Sequence, residues 1–445
     1  MSSLRYKPRR VTDADADPAI ARDPSPWAAL PSELLDLIAW QVLAVGDLQD
    51  YVRLRAVCAH WRASTACPRG RGIVDQRFHP RQWMMLPEGH GLYPGNSRLR
   101  GFIRFFNLST GAFARAHLPL FTDHCALDSI DGLLLLQRDH DTVVRLLHPF
   151  TGDILDFPPL ETLLRHLGAT TPDAKWCLVR NISAASMNVG ADGVVSVMIL
   201  MAHPWSKIVF ATSQDRQWRV SSWFASRSCR PISFQGKIYA VRFTTSFASP
   251  EVLEIGPPQL QQQAVEMEPW LPPPRSIAKC PASTPDTFYT YHLVECGPEI
   301  LVVILSHNYN KISVYRLADL MLGMFVPMTR IGGNALFIEG RTLCVSSKAF
   351  PTIVGDTVVF LNRKQHCLAQ YHLGSDTLLS AEYRFADVHS MKIPCSIIEH
   401  IYTCCYRKIW NKGQIVFRRK QDKWRVNGKW RIGVSNLAYD GMIFF

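Results

Sequence analysis

A chain of 445 residues with 47% hydrophobic and 19% charged side chains is a folded protein too long for one compact core, so it divides into domains. Its formal net charge of +12 is uneven: ten Lys and Arg lie between Tyr406 and Arg431 against Asp422 alone, and the remainder is close to neutral. The densest apolar runs, Val194 to Ala202 and Ile300 to Leu305, fall far short of the roughly 20 residues of a membrane helix, and the twelve scattered cysteines read as small buried hydrophobes rather than a disulfide framework.

Residues 1–26 are polar, with an Asp-Ala alternation and a closing Pro24-Ser25-Pro26, and read as a disordered arm whose Lys7-Pro8-Arg9-Arg10 is a solvated basic stretch. No apolar segment of a secretion signal follows the first residues, which predicts a cytoplasmic or nuclear protein. Residues 27–66 carry helical spacing. Pro31 and Glu33 suit a first turn, and Leu34, Leu35, Ile38, Val42 and Leu43 recur as an apolar face. Beyond Gly46, Asp47 or Asp50 caps a second helix in which Leu54, Val57, Cys58 and Trp61 form one stripe among Arg53, Arg55, His60 and Arg62. A module of about forty residues has little core of its own, so the apolar faces on both helices need cover, from a partner or from the chain's own downstream domain. Residues 67–100, opening on Cys67-Pro68-Arg69-Gly70-Arg71-Gly72, are a linker and lead-in.

From residue 101 to about 400 the spacing changes to short apolar runs between turns. Phe102 to Leu108, Ala112 to Leu118, Leu133 to Gln137, Val143 to Leu147 and Ile154 to Phe157 read as strands. The pattern returns at Val194 to Met201, Lys207 to Ala211, Lys237 to Phe243, Val252 to Ile255, Ile300 to Leu305, Ile312 to Arg316, Thr357 to Leu361 and Leu368 to Leu373. With no helical segments between them, the strands favour radial repeats: a β-propeller of six or seven blades, with a pair of β-sandwiches as the alternative. The fold class is therefore α+β multidomain, a small all-α module before a mainly-β domain. Residues 256–286, rich in Pro and Gln, read as an exposed loop within it, and residues 401–445 as a separate basic, aromatic segment.

The Leu30-Pro31 opening, the ladder Leu34, Leu35 and Ile38, and the closing run Arg53 to Arg62 with its Val-Cys-x-x-Trp-Arg ending resemble an F-box. That resemblance implies a Skp-type adaptor and, through it, a cullin-RING ubiquitin ligase. It implies adaptor contacts at Leu30, Pro31, Leu34, Leu35, Ile38, Leu54, Val57, Cys58 and Trp61. Gly332-Gly333-Asn334-Ala335-Leu336-Phe337, Val345-Ser346, Ala349-Phe350-Pro351, Gly355-Asp356 and the turn His148-Pro149-Phe150-Thr151-Gly152 resemble the C-terminal domain of a large plant F-box family, a propeller-like domain of unknown function taken to bind the target. Together they imply a non-catalytic substrate receptor whose target the sequence does not name.

Site motifs add little. There is no phosphate loop, dinucleotide fingerprint, nucleophile elbow or His-Glu-x-x-His, and no cofactor is expected. Asp128, Asp131, Asp139 and Asp141 cluster in sequence beside turns, where Asp serves the backbone; a sugar-acting propeller would need them to converge in a central channel. His389, Cys395, His400, Cys404 and Cys405 lack the paired Cys-x-x-Cys arms of a zinc module and read as buried thiols and surface histidines, so no metal is expected. Trp410, Phe417, Trp424 and Trp430 interleave with the basic tail. A solvated edge is the favoured reading, and a propeller-type binding protein that holds nucleic acid through this tail is the alternative.

Overall fold

The computed structural model describes residues 26–45, 47–86, 101–138, 140–167, 181–202, 205–225, 228–243, 249–263, 266–282, 289–307, 311–362, 367–384 and 396–405. The arm, Lys7 to Arg10, Asp139, His389, Cys395 and the basic tail from residue 406 lie outside them. The chain forms two units, Met1–Cys67 and Pro68–Phe445.

In the first unit α1 (Ser32–Val45) begins where the Leu35 amide donates to the Pro31 carbonyl at 3.0 Å. Asp47 caps α2 (Leu48–Arg55), its side chain accepting the Gln49 and Asp50 amides at 2.7 and 3.1 Å. The expected single stripe from Leu54 to Trp61 is broken: Cys58 is extended, and its sulfur accepts the Trp61 amide at 3.4 Å to cap a separate α3 (Ala59–Ala63). Leu35, Ala39, Leu48, Tyr51 and Leu54 form the core, and Tyr51 stacks on Trp40 and donates to the Ala66 carbonyl at 2.7 Å.

The second unit is a six-bladed β-propeller. Blade 1 holds β1 (Trp83–Met85), β2 (Phe102–Asn107) and β3 (Phe113–His117). Blade 2 holds β4 (His124–Ile130), β5 (Leu133–Arg138), β6 (Val143–Leu147) and β7 (Ile154–Pro159). Blade 3 holds β8 (Ile182–Val189), β9 (Val195–Met201), β10 (Ile208–Thr212) and β11 (Arg219–Val220). Blade 4 takes β12 (Ser228–Phe234), β13 (Lys237–Arg242), β14 (Glu251–Ile255) and, as its last strand, β17 (Arg275–Lys279). Between β14 and β17 stands a separate hairpin, β15 (Gln259–Gln263) and β16 (Glu266–Trp270). Residues 256–286 are thus not a plain loop: backbone pairing needs no apolar side chains, so a Gln-rich stretch still forms a ladder.

Blade 5 holds β18 (Tyr289–Cys296), β19 (Glu299–Ser306) and β20 (Ile312–Arg316). Blade 6 departs from the meander, with the order β22 (Thr342–Ser346), β21 (Asn334–Ile338), β23 (Thr357–Asn362), β24 (Cys367–His372) and β25 (Thr377–Arg384), in which β21 and β23 run parallel.

Hydrophobic clusters occupy the seams between blades. Leu127, Leu135, Val197 and Ile199 fill the seam of blades 2 and 3, and Met198, Phe210, Ile238 and Ile255 that of blades 3 and 4. Val241, Val252, Leu293 and Val302 fill the next seam, and Val303, Val314, Leu336 and Val358 the one after it. Strands such as β19 and β23 are buried on both faces, which explains their unbroken apolar sequences. The ring closes where blades 6, 1 and 2 share one cluster with the C-terminal helix Ile397–Cys404, including Phe105, Phe106, Phe337, Val359, Ile401 and Tyr402. This helix carries the chain past residue 400, so the propeller unit includes part of the stretch expected to be a separate tail. Cys404 and Cys405 are buried there among apolar side chains, which is their structural role.

Candidate functional site

The helical module divides the nine residues expected to meet an adaptor. Leu35 and Leu54 face inward; Leu30, Cys58 and Trp61 are half-buried; Pro31, Leu34, Ile38 and Val57 are exposed. The Trp61 indole donates to the Trp27 carbonyl at 2.9 Å, and the His60 ring to the Leu30 carbonyl at 2.8 Å, so α3 fastens the chain ahead of α1. Sequence reasoning missed Trp27, Leu37 and Val52, which are exposed at 68%, 66% and 48%. The face expected to be single is therefore two faces of α1, with Leu35 and Ala39 inside and Leu34, Leu37 and Ile38 outside.

In the propeller, a central cavity of about 320 Å³ is lined from blades 1, 2, 4, 5 and 6, with Arg81, Asp128, Asp131, Arg230, Glu295 and Arg341 as its charged residues. Irregular strands aim two of them. A register shift at Leu127 in β4 turns Asp128, and another in β12 turns Arg230, whose φ of 47° is rare for a side-chain-bearing residue. Asp131 and Gly132, with φ of 51° and 83°, make the tight turn from β4 to β5. Gly132 is obligatory: a Cβ there would stand 2.1 Å from the Pro80 carbonyl oxygen.

The electrostatics follow from these placements. Buried Asp128 accepts the Ser129 and Ala185 amides, both at 2.9 Å, and lies 3.4 Å from Arg341, which also donates to the Ser129 carbonyl at 2.9 Å. Asp131 stands 3.6 Å from Arg81 and 3.7 Å from His79. Burial opposes its ionisation, yet His79 and Arg81 hold its carboxyl below the usual range. Glu295 has no ion-pair partner among the described residues. It is exposed to the channel but walled in by protein, and that partial desolvation, with the charge of Asp131, pushes it up to about 7. The cavity thus pairs fixed charges with one protonatable carboxyl, a lining suited to a polar or charged ligand group. Of the four clustered aspartates, the fold brings Asp128 and Asp131 to the channel and leaves Asp141 at the opposite end of β5, bonded to Arg138 at 2.8 Å.

The His148–Gly152 turn and the Gly355-Asp356 motif singled out in the sequence are clasps. The His148 ring donates through Nε2 to the Phe78 carbonyl at 3.1 Å and accepts the Phe150 and Thr151 amides on Nδ1, which fixes a neutral tautomer; burial lowers its pKa accordingly. Asp153 accepts the Gly70 and Gly72 amides at 2.9 and 2.8 Å, and Phe150 packs on Trp83 and Phe105. In blade 6, Asp356 accepts the Ile331 and Gly333 amides at 2.6 and 3.0 Å, holding the turn that feeds β21.

A second surface on the propeller was not foreseen. After the short helix Leu317–Met321, Gly323 (φ 73°) ends the turn, with the Gly323 amide donating to the Leu320 carbonyl and the Met324 amide to that of Asp319. This fixed turn presents Met321, Leu322, Met324, Phe325 and Val326 to solvent. The run Met321-Leu322-Gly323-Met324-Phe325-Val326, apolar without strand alternation, was the available signal. Among the described residues no helix is long and apolar enough to cross a membrane.

Among curated proteins none matches the chain. Among solved structures, the dihydro-heme d1 dehydrogenase NirN in complex with DHE is 11% identical over 68% of this chain and 61% of its own, with a TM-score of 0.25. The tricorn protease is 12% identical over 64% of this chain and 29% of its own, with a TM-score of 0.22. This chain therefore spans less than two thirds of either. A family profile described as the KIB1-4 beta-propeller covers residues 105–382, from β2 to β25, and the chain belongs to that family.

Proposed function

We propose that the chain is the substrate-receptor (F-box) subunit of a Skp-cullin-F-box ubiquitin ligase of the cytoplasm or nucleus. The N-terminal helices hold a Skp-type adaptor and the propeller holds a target protein. The observation that carries this reading is the outward apolar face of the helical module: Leu34, Leu37, Ile38, Val52 and Val57 are exposed on a unit whose own core is Leu35, Ala39, Leu48, Tyr51 and Leu54. A face this apolar on so small a unit is the mark of an interface. Neither domain needs to react; bringing a target's lysines close to an activated ubiquitin raises their effective concentration. The rigid apolar turn Met321–Val326 supplies a target contact, its methionines adapting to the partner's shape.

Co-purification with a Skp-type adaptor tests the reading. Intact chain should bind, and a Leu37→Ala, Ile38→Ala double variant should not; absence of binding by the intact chain removes the ligase role.

One observation favours a second reading. Asp128, Asp131 and Glu295 converge in the channel, as a sugar-acting propeller requires. Asp128 is already engaged by two amides and Arg341, and Asp131 by Arg81 and His79, which leaves no carboxylate disengaged beside Glu295. Hydrolysis of aryl glycosides that disappears in Glu295→Gln is the result that favours the enzyme.

A further inference from the structure

Cys296, the last residue of β18, and Cys344, in the middle of β22, come from different blades, and their sulfurs lie 3.1 Å apart. That is about 1 Å beyond the roughly 2.05 Å of a disulfide bond. The Thr342 hydroxyl donates to the Leu293 carbonyl at 2.6 Å, which holds the two strands side by side. Both thiols are half-buried, so each keeps some access to solvent, and Cys344 also lines the central cavity. Cys125, Cys280, Cys404 and Cys405, in contrast, are buried among apolar side chains.

We propose that Cys296 and Cys344 are a redox-active dithiol that closes to a disulfide across the seam of blades 5 and 6 by exchange with a low-molecular-weight disulfide of the glutathione type. Cys296 is the attacking sulfur. The Cys344 thiol donates to it, and so does the Asn334 amide at 3.7 Å. Those bonds hold the Cys296 thiol below its usual range against partial burial, while the same bond and burial push the Cys344 thiol up.

The Cys296 thiolate attacks one sulfur of the glutathione disulfide, forming a mixed disulfide and releasing one glutathione thiolate, which takes up the proton that Cys296 lost. Cys344 then loses its proton, its sulfur attacks that of Cys296, and the second glutathione leaves and is protonated. The protein loses two electrons and two protons, and the glutathione disulfide gains them as two thiols; excess glutathione reverses both steps. The closed form ties the wall that carries Glu295 to the wall that carries Asn334 and Cys344, fixing that side of the cavity.

The test is peptide mapping by mass spectrometry, without reduction, of the full chain equilibrated in glutathione buffers of rising oxidised-to-reduced ratio and then alkylated. A Cys296–Cys344 cross-link, lighter by two hydrogens, should rise with that ratio and vanish on reduction. In Cys344→Ser the reaction should stop at a glutathione adduct on Cys296, and in Cys296→Ser the Cys344 thiol should stay unmodified. Complete alkylation of both thiols in the unaltered chain at every ratio, a glutathione adduct without cross-link, or pairing of either cysteine elsewhere each overturns the proposal. The unaltered chain alone decides between these outcomes, so the test stands even where a serine variant misfolds.

Discussion

Asp128 accepts the amide of Ala185 at 2.9 Å, a hydrogen bond from the first strand of blade 2 to the first strand of blade 3. The same carboxylate lies 3.4 Å from Arg341, at the tip of the β21–β22 hairpin of blade 6. One buried side chain thus joins three blades around the channel. Asp128→Ala strands the Ala185 amide and removes the carboxylate beside the Arg341 guanidinium, and should lower unfolding stability by about 3 kcal/mol. Denaturant unfolding measures it; a loss within error of zero means the blades hold their places without this tie.

Gly132→Ala tests the turn that aims Asp131. The new Cβ would meet the Pro80 carbonyl oxygen at 2.1 Å, and the φ of 83° disfavours any side chain. Neither backbone can yield without moving blade 2 off the segment before β1. The variant should lose at least about 2 kcal/mol in the same assay. Gly152→Ala is the control: it has similar φ, but nothing lies within 4 Å of its added carbon, so it should lose less.

On the helical module the inward and outward residues separate folding from binding. Leu35→Ala empties a fully buried site and should cost about 2–5 kcal/mol of the module's stability, visible as lost helicity by circular dichroism. Leu37→Ala with Ile38→Ala should leave the helical signal unchanged and abolish adaptor co-purification. Equal adaptor binding by this double variant and the unaltered chain places the interface elsewhere.

Glu295 predicts a pH dependence of known sign. Its carboxyl is raised from the ordinary 4.5 to about 7, so between these values the folded state holds a proton that the unfolded chain has released. Its stability contribution is complete below pH 4.5 and disappears as pH rises through 7. Glu295→Gln stays neutral throughout, and its midpoint in denaturant should gain on the unaltered chain between pH 5 and pH 8. A constant difference between the two midpoints rules out the raised pKa.

The apolar turn of blade 5 is a surface, not a core element. Leu322→Asp with Phe325→Asp replaces two exposed side chains, so the melting temperature should move by no more than a few degrees. Target capture by the adaptor-bound chain, read by cross-linking mass spectrometry, should fall at least tenfold, the equivalent of about 1.4 kcal/mol. Unchanged capture assigns the target to another face.

The most apolar of the strands legible in the sequence are middle ones of their blades. Leu133 to Gln137, Val194 to Met201, Ile300 to Leu305 and Thr357 to Leu361 are apolar because both faces meet neighbouring blades. The strands that escaped notice include the first of four blades: His124–Ile130, Ile182–Val189, Ser228–Phe234 and Tyr289–Cys296. They carry Asp, Ser, Arg and Glu, and irregular pairing in β4, β8 and β12 spoils their alternation. Asp128 and Asp131 were legible as a cluster of aspartates, but Arg230 and Glu295 were not, because they stand on strands that do not look like strands.

The sequence by itself determined the change from helical to strand spacing, the turn at Thr151-Gly152 and the apolar runs that must be covered on both sides. These depend on local backbone geometry and on the period of the side chains. Only the tertiary structure decided the number of blades, the meeting of Asp128 with Ala185 and Arg341, the division of α1 into Leu35 inside and Leu37 outside, and the approach of Cys296 to Cys344. Each is set by how elements pack in three dimensions, the blades around one axis and α1 against α2, and not by any spacing along the chain.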